Sequence, residues 1–104
     1  MSLKYLELKN SAEKCNKLIL ILHGYGADAN DLFSLATYWN RFLPSAYFCI
    51  PNAPNICQVN QSGFEWFDLM QTNNAKIIEE TLNSLNKLED LINEKLVILN
   101  LDLK

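Results

Sequence analysis

Apolar residues along the chain form runs and spaced patterns that predict alternating strands and helices. Residues 17–22 (KLILIL) are apolar after the first lysine, which is typical of a strand in a parallel sheet buried on both faces. Residues 46–50 (AYFCI) predict a second buried strand, which ends where Pro51 and Pro54 would interrupt a central ladder. Residues 5–8 are short and mixed in polarity, so they predict only a weak strand at the start.

Two segments show the 3.6-residue spacing of amphipathic helices. Asn30 is placed to cap the first helix, and Pro44 is placed to end it. The apolar positions of this helix are Leu32, Leu35, Ala36, Trp39 and Leu43. The second helix is predicted from Asn74 to about Lys95, with one charged face and one apolar face toward the sheet. Its apolar face comprises Ile78, Leu82, Leu85, Leu88 and Ile92.

The remaining segments connect or extend these elements. Residues 55–63 predict a polar loop, and an aromatic group follows it. In the second half of residues 96–104, leucines alternate with polar residues, which favours a last strand. This order of strands and helices is typical of βαβ units, so we predict an α/β fold with a mostly parallel sheet flanked by helices. A length of 104 residues suits a single domain, residues 1–104.

Composition and charge exclude several classes of partner. The net charge is −3 and the isoelectric point is about 5.0, with no basic cluster, so we expect no nucleic-acid partner. No apolar run approaches the length of a membrane span, and the first residues lack the apolar core of a signal peptide, so we predict a cytoplasmic protein. The three cysteines form no C-x-x-C pair and fit free thiols. With one histidine in the chain we expect no metal site, and no motif indicates a cofactor.

Three blocks of sequence carry a resemblance to a known family. Residues 20–32 read LILHGYGADANDL, an apolar strand that runs into a His-Gly turn and then a helix. Residues 51–54 (PNAP) and 66–68 (WFD) follow in that order. Together the blocks resemble the carboxylesterase, phospholipase and acyl-protein thioesterase branch of the α/β-hydrolase superfamily. The resemblance covers roughly residues 5–95 and implies a partial α/β-hydrolase fold.

The sequence lacks the motif that carries the nucleophile in that superfamily. The serine of an α/β-hydrolase lies in a Gly-x-Ser-x-Gly elbow. The only glycines here are Gly24, Gly26 and Gly63, so no such elbow can be written. The resemblance therefore implies an N-terminal portion that is truncated before the nucleophile elbow, and we expect no catalytic residue of a Ser-Asp-His triad.

For the residues that are present, the resemblance implies supporting roles. By position, the backbone N–H of Tyr25 would be one donor of the oxyanion hole. His23 matches a structural histidine of the loop, and Gly24 and Gly26 shape that loop; a general base would need a nucleophile within reach. Trp66 is a candidate for lining the acyl or alcohol pocket, and packing over the edge of the sheet is an equally compatible role for this large aromatic residue.

A dinucleotide-binding fingerprint is a rival interpretation of the same turn. Residues 24–29 (GYGADA) satisfy G-x-G-x-x-A after a strand. The second strand, however, is followed by no acidic residue for a ribose hydroxyl, and Asp28 would place negative charge against a pyrophosphate. These two features disfavour the rival.

Two hypotheses of function follow. In the first, the chain is the N-terminal portion of a carboxylesterase or thioesterase-like serine hydrolase, inactive alone, which acts on a small ester or acyl substrate only when a C-terminal half completes it. In the second, it is a non-catalytic binding or interaction protein that retains the fold. In both, the sheet edge where a nucleophile strand would pair is exposed, so we expect self-association or capture of a complementary fragment.

Overall fold

The central strand of the sheet is buried along its whole length and divides the molecule into two apolar layers. The computed structural model describes residues 2–9 and 14–101. The strands of these ranges are β1 (Tyr5–Lys9), β2 (Lys17–Leu20), β3 (Ala46–Pro51), β4 (Asn55–Ile56) and β5 (Phe64–Glu65). The helices are α1 (Asn30–Asn40) and α2 (Asn74–Leu99). Alternate side chains of β3 pack into two separate clusters, one with residues of α1 and one with residues of α2.

The main sheet has the strand order β1-β3-β2. β2 runs parallel to β3, with Lys17 opposite Ala46, whereas β1 runs antiparallel, with Tyr5 opposite Pro51. The α/β class is therefore confirmed, and the three-stranded sheet is mixed. The side chains of β2 are half-buried at most, because β2 is paired on one side only within the described residues. The expectation that this strand is buried on both faces is therefore wrong here.

Helix α1 begins at the residue that was expected to cap it, one residue earlier than predicted. Ala29 precedes the helix, so Asn30 is its first residue and the prediction that Asn30 caps it is wrong. Two aspartates satisfy the first amides instead: the Asp31 N–H donates to Asp28 Oδ1 (3.1 Å) and the Asp28 N–H donates to Asp31 Oδ2 (3.2 Å). This reciprocal arrangement stabilises the helix start in the way a capping box does.

The expected polar loop contains a small hairpin. β4 and β5 pair antiparallel, with Asn55 opposite Glu65 and Ile56 opposite Phe64. Polarity alone predicted a loop because only two residues of each strand are paired, which is too short for an alternating pattern to be visible.

Helix α2 is longer than its pattern predicts. Asn73 caps its start, since its side chain accepts the N–H groups of Ala75 and Lys76. The helix ends where Asn100 adopts the left-handed conformation, with φ of 57°. Residues 96–99, expected to lie in a strand, are thus helical, because no glycine or proline interrupts the segment before Asn100. Residues 102–104 of that expected strand lie outside the described residues.

The face of α2 that meets the sheet is not the expected apolar stripe. Its buried residues are Ser84, Leu88, Leu91 and Lys95. Of the expected stripe only Leu88 is buried, whereas Ile78, Leu82 and Leu85 remain 59%, 53% and 53% exposed. The polar members of the true face escape a hydrophobic pattern because distant partners satisfy them: Ser84 donates to the Trp66 carbonyl (2.5 Å) and Lys95 donates to the Tyr5 hydroxyl (2.5 Å). No helix in the described ranges combines the length and apolar character needed to cross a membrane.

Candidate functional site

The candidate site lies where the carboxyl ends of β2 and β3 meet. Because these strands are parallel, the loops that follow them leave the same edge of the sheet, which is where open α/β sheets bind ligands. Residues 21–29 follow β2, and residues 52–54 follow β3. The structure thus brings together two of the three blocks that carry the family resemblance, and the third, residues 66–68, joins them through side chains.

His23 is the point at which all three blocks meet. Its side chain is 4% exposed. The Ala53 N–H donates to Nε2 (3.0 Å), and Nδ1 lies 2.7 Å from the Gly24 carbonyl oxygen. Because Nε2 accepts a proton donor, Nδ1 carries the hydrogen and donates it to Gly24. Both ring nitrogens are therefore occupied by backbone groups, and neither is open to the proton of a nucleophile.

The indole ring of Trp66 packs against the imidazole ring of His23. The two rings stack with centroids 5.2 Å apart and an angle of 27° between their planes. The indole Nε1–H also donates to the His23 carbonyl (2.9 Å). Two clefts of the described chain, of about 600 and 220 Å³, are lined by other residues, so pocket lining by Trp66 stays a prediction.

The turn after His23 is a type II β-turn. Its closing hydrogen bond runs from the Ala27 N–H to the Gly24 carbonyl (3.2 Å), and Gly26 occupies the third position with φ of 79°. A side chain at Gly26 would be strained by this positive φ. The Gly26 N–H donates to the Phe64 carbonyl (2.9 Å). Within residues 2–9 and 14–101, the Tyr25 N–H donates to no protein acceptor.

The hairpin of β4 and β5 fixes this turn from outside. The Phe64 N–H donates to the Ala27 carbonyl (2.9 Å), and Asn60 Nδ2 donates to the Gly26 carbonyl (2.8 Å). Gly63 packs so closely against the turn that a Cβ built on it would lie 1.9 Å from the Gly26 oxygen. Sequence reasoning placed Gly63 in a loop and had no means of detecting this contact between two glycines that lie far apart in sequence.

The side chain of Tyr25 points to the third block. Its hydroxyl donates to Asp68 Oδ1 (3.4 Å), which also accepts the Met70 N–H (2.9 Å). The pKa of the Tyr25 hydroxyl is raised, first by a hydrogen bond with Cys57 and then by burial and the nearby carboxylates. The hydroxyl is therefore neutral and remains a hydrogen-bond donor through the physiological range of pH.

Two polar residues of this region, the half-buried Asn52 and the buried Glu65, were not singled out from the sequence. Asn52 Oδ1 accepts the Ala29 N–H (2.7 Å) and so ties the end of β3 to the start of α1. Glu65 is 2% exposed, and its Oε1 accepts the Gln58 N–H (3.0 Å) inside the hairpin. The only signal in the sequence for Asn52 is its place in the PNAP block. A lone Glu65 in an aromatic group carries no signal, because its partner comes from the opposite arm of the hairpin.

The geometry also disfavours the dinucleotide interpretation. A pyrophosphate would need the free amides at the start of α1. The amides of Asp28 and Asp31 already bind the protein's own carboxylates, and that of Ala29 binds Asn52. The described part of the chain also holds no group of three or more metal-ligating side chains.

Two comparisons with known proteins agree with this arrangement. The sequence profile of the phospholipase/carboxylesterase family matches residues 3–99. A crystal structure of esterase PE8 is similar in fold, with a TM-score of 0.82 and 27% sequence identity. The match covers 96% of this chain and 47% of the esterase. The chain therefore spans about half the length of the esterase that it matches.

Proposed function

The chain belongs to the phospholipase/carboxylesterase family, and on that premise we propose that it provides the oxyanion-hole side of an ester or thioester hydrolase. In this proposal the Tyr25 N–H is one of two amide donors that stabilise the negative charge on the carbonyl oxygen of a small acyl substrate. His23, Gly24 and Gly26 hold the turn that carries this amide, and Trp66 lines the acyl or alcohol pocket.

The observation that supports this proposal most strongly is the type II turn, in which the Tyr25 N–H donates to no acceptor among the described residues. The hairpin and His23 hold the flanking groups by hydrogen bonds, so the Tyr25 N–H is held in place before any substrate binds. A preorganised donor of this kind contributes to catalysis because it needs no rearrangement as the oxyanion develops. Removing one such donor lowers kcat about 10²-fold to 10³-fold in acyl-transfer enzymes.

We also propose that these 104 residues do not hydrolyse esters alone and are the N-terminal portion of a longer catalytic unit. Both ring nitrogens of His23 bind backbone groups, and the sequence contains no nucleophile elbow. In the presence of the purified chain, a short p-nitrophenyl ester is expected to hydrolyse no faster than at its uncatalysed rate. Turnover that a fluorophosphonate abolishes would overturn this part of the proposal. The DNA after codon 104, translated in three frames, is expected to encode Gly-x-Ser-x-Gly and later Asp and His residues.

The role of the Tyr25 amide is tested in a completed enzyme, in which the uncovered half of esterase PE8 is fused after residue 104. Tyr25→Pro removes the N–H and retains the turn, since proline is favoured at the second position of a type II turn. We expect kcat to fall about 10²-fold or more with KM nearly unchanged. Tyr25→Ala keeps the amide and loses the same aromatic side chain, so it is the matched control. Activity of the Tyr25→Pro enzyme equal to that of the Tyr25→Ala enzyme would refute the assignment.

A non-catalytic role is the second candidate, and it is favoured by the edge of β2 that pairs with no strand among the described residues. In that case the completed enzyme shows no hydrolysis, and the chain instead binds a discrete ligand or protein partner.

A cytoplasmic location also stays a prediction. Fractionation of the cells that produce the protein is the measurement that checks it.

A further inference from the structure

The backbone of Tyr25 has no anchor of its own in the type II turn. The other three residues of the turn, Gly24, Gly26 and Ala27, each form backbone hydrogen bonds with His23, with the hairpin or across the turn. Among residues 2–9 and 14–101, neither the N–H nor the carbonyl of Tyr25 binds a protein group. The residue that carries the proposed oxyanion donor is therefore the one that main-chain contacts restrain least.

The side chain of Tyr25 supplies a restraint instead. Its hydroxyl donates to Asp68 Oδ1 (3.4 Å), and the Cys57 thiol is a second hydrogen-bond partner of the same hydroxyl. Cys57 Sγ also lies close to the turn, since it would be 3.7 Å from a Cβ built on Gly26. The phenol ring thus connects the turn to the segment that follows β5.

Asp68 is itself held at three points. Its Oδ1 accepts the Met70 N–H (2.9 Å), and its carbonyl accepts the Gln71 N–H (3.1 Å). An aspartate that binds the backbone two residues ahead forms a turn of its own, which fixes the direction of the carboxylate. The Asp68 N–H donates to Glu80 Oε1 (3.2 Å), so α2 holds the main chain at this residue. Asp68 is therefore a rigid anchor for the Tyr25 hydroxyl.

Helix α2 also holds the other end of the 66–68 segment. The Ser84 hydroxyl, one turn after Glu80, donates to the Trp66 carbonyl (2.5 Å). The indole of Trp66 in turn donates to the His23 carbonyl (2.9 Å). Because residues four apart lie on the same face of a helix, one face of α2 sets the positions of both side chains that hold the turn.

We propose that Asp68 and Glu80 are positioning residues for the oxyanion hole: Asp68 holds the Tyr25 side chain, and Glu80 holds Asp68. Neither carboxylate touches the substrate. They act on the direction of the Tyr25 N–H, and a misplacement of about 1 Å at such a group costs about 10²-fold in rate. This inference rests on the proposed function, since it names the residues that align the donor of the same site.

Nuclear magnetic resonance relaxation of the 104-residue chain measures this restraint without any need for catalysis. The order parameter of the Tyr25 N–H is expected to be about 0.85, as in rigid backbone, and to fall toward about 0.6 in Tyr25→Phe and Asp68→Ala. Asp68→Asn keeps an acceptor oxygen, so it is expected to restore most of the order. Thermal unfolding confirms that each variant is folded.

The contribution of α2 is measured in the same way. Glu80→Ala is expected to lower the order parameters of both Asp68 and Tyr25, because the main chain of the anchor loses its acceptor. Glu79→Ala is the matched control, since Glu79 is an exposed neighbour with the same charge. An equal loss of order in the control would show a general loosening of the helix and would overturn the role of Glu80.

The enzyme completed with the uncovered half of esterase PE8 reports the same contact as activity. Tyr25→Phe and Asp68→Ala are each expected to lower kcat at least about threefold with KM nearly unchanged. The double variant is expected to lose no more than the weaker of the two single variants, because both changes remove one contact. Losses that multiply in the double variant would show that the two side chains act separately, which would overturn the proposal.

Two further outcomes separate this inference from the proposed function. Wild-type order parameters in Tyr25→Phe and Asp68→Ala overturn the positioning role, even where Tyr25→Pro abolishes activity as the proposed function expects. A loss of order in these two variants, with recovery in Asp68→Asn, supports the positioning role even where the completed enzyme hydrolyses no ester and the catalytic role of the turn is refuted.

Discussion

Replacing Gly63 by alanine is expected to detach the hairpin of β4 and β5 from the turn that carries Tyr25. The added Cβ would lie 1.9 Å from the Gly26 oxygen and 2.4 Å from the Gly26 carbonyl carbon. Both are backbone atoms, so no side-chain rotation can relieve the overlap. The hairpin must therefore move away from the turn by more than an ångström.

The magnitude follows from the contacts that this movement breaks. Three hydrogen bonds join the hairpin to the turn: Gly26 N–H to the Phe64 carbonyl, Phe64 N–H to the Ala27 carbonyl, and Asn60 Nδ2 to the Gly26 carbonyl. At about 1 kcal/mol net for each bond, the free energy of unfolding falls by about 3 kcal/mol. For a domain of this size the corresponding decrease in Tm is roughly 12 °C or more.

Thermal unfolding followed by circular dichroism measures this change, and Gly24→Ala is the matched control. Gly24 belongs to the same turn, but a Cβ built on it meets nothing within 4 Å. The control is therefore expected to stay within about 0.5 kcal/mol of the wild type or to become slightly more stable. Equal Tm values for Gly63→Ala and Gly24→Ala would refute the reasoning, since they would show that the close contact between the hairpin and the turn does not contribute to stability.

Three other predictions concern stability. Burial raises the pKa of the Cys49 thiol to about 11, so the free energy of unfolding should decrease between pH 9 and 11 by up to about 3 kcal/mol, and denaturant titrations should show a flatter pH profile for Cys49→Ala. For Lys95, burial lowers the pKa, but the hydrogen bond to Tyr5 and the charge of Glu7 outweigh burial and raise it. The stability that it contributes is thus complete below pH 10.5 and lost as the pH rises further, and Lys95→Met should abolish this part of the alkaline loss; an unchanged profile would contradict the ion-pair account. Asn73→Ala should destabilise the protein by about 1 kcal/mol, because the first amides of α2 lose their acceptor, and thermal unfolding is the measurement. Asn74→Ala, one residue inside the helix, is its control.

The three strands of the main sheet and the first helix could be predicted because their signals are local. Residues 46–50 are buried on both faces and appear as one apolar run, and Pro44 stands beyond the end of α1 as a breaker. The three blocks of the family resemblance could likewise be identified in the sequence, although nothing in them states that His23 binds Ala53 and stacks on Trp66.

Helix α2 shows where the pattern is insufficient. It carries two candidate faces, one apolar and one that includes Ser84 and Lys95, and a hydrophobic count selects the first. In the structure it is the face with Ser84 and Lys95 that packs inward. Trp66 and Tyr5 supply hydrogen bonds that remove the cost of burying those polar groups. The apolar stripe of Leu82 and its neighbours therefore stays exposed.

The sequence by itself determined the alternation of strands and helices, the order of the three blocks and the lack of a nucleophile elbow, since each depends on residues close together in the chain. Only the tertiary structure decided that Gly63 lies against Gly26, that both nitrogens of His23 are occupied, and that the apolar stripe of α2 stays exposed. These features depend on pairs of residues that are distant in sequence. Whether a polar group can be buried, or a backbone can approach another closely, is set by the partner that the fold brings to it.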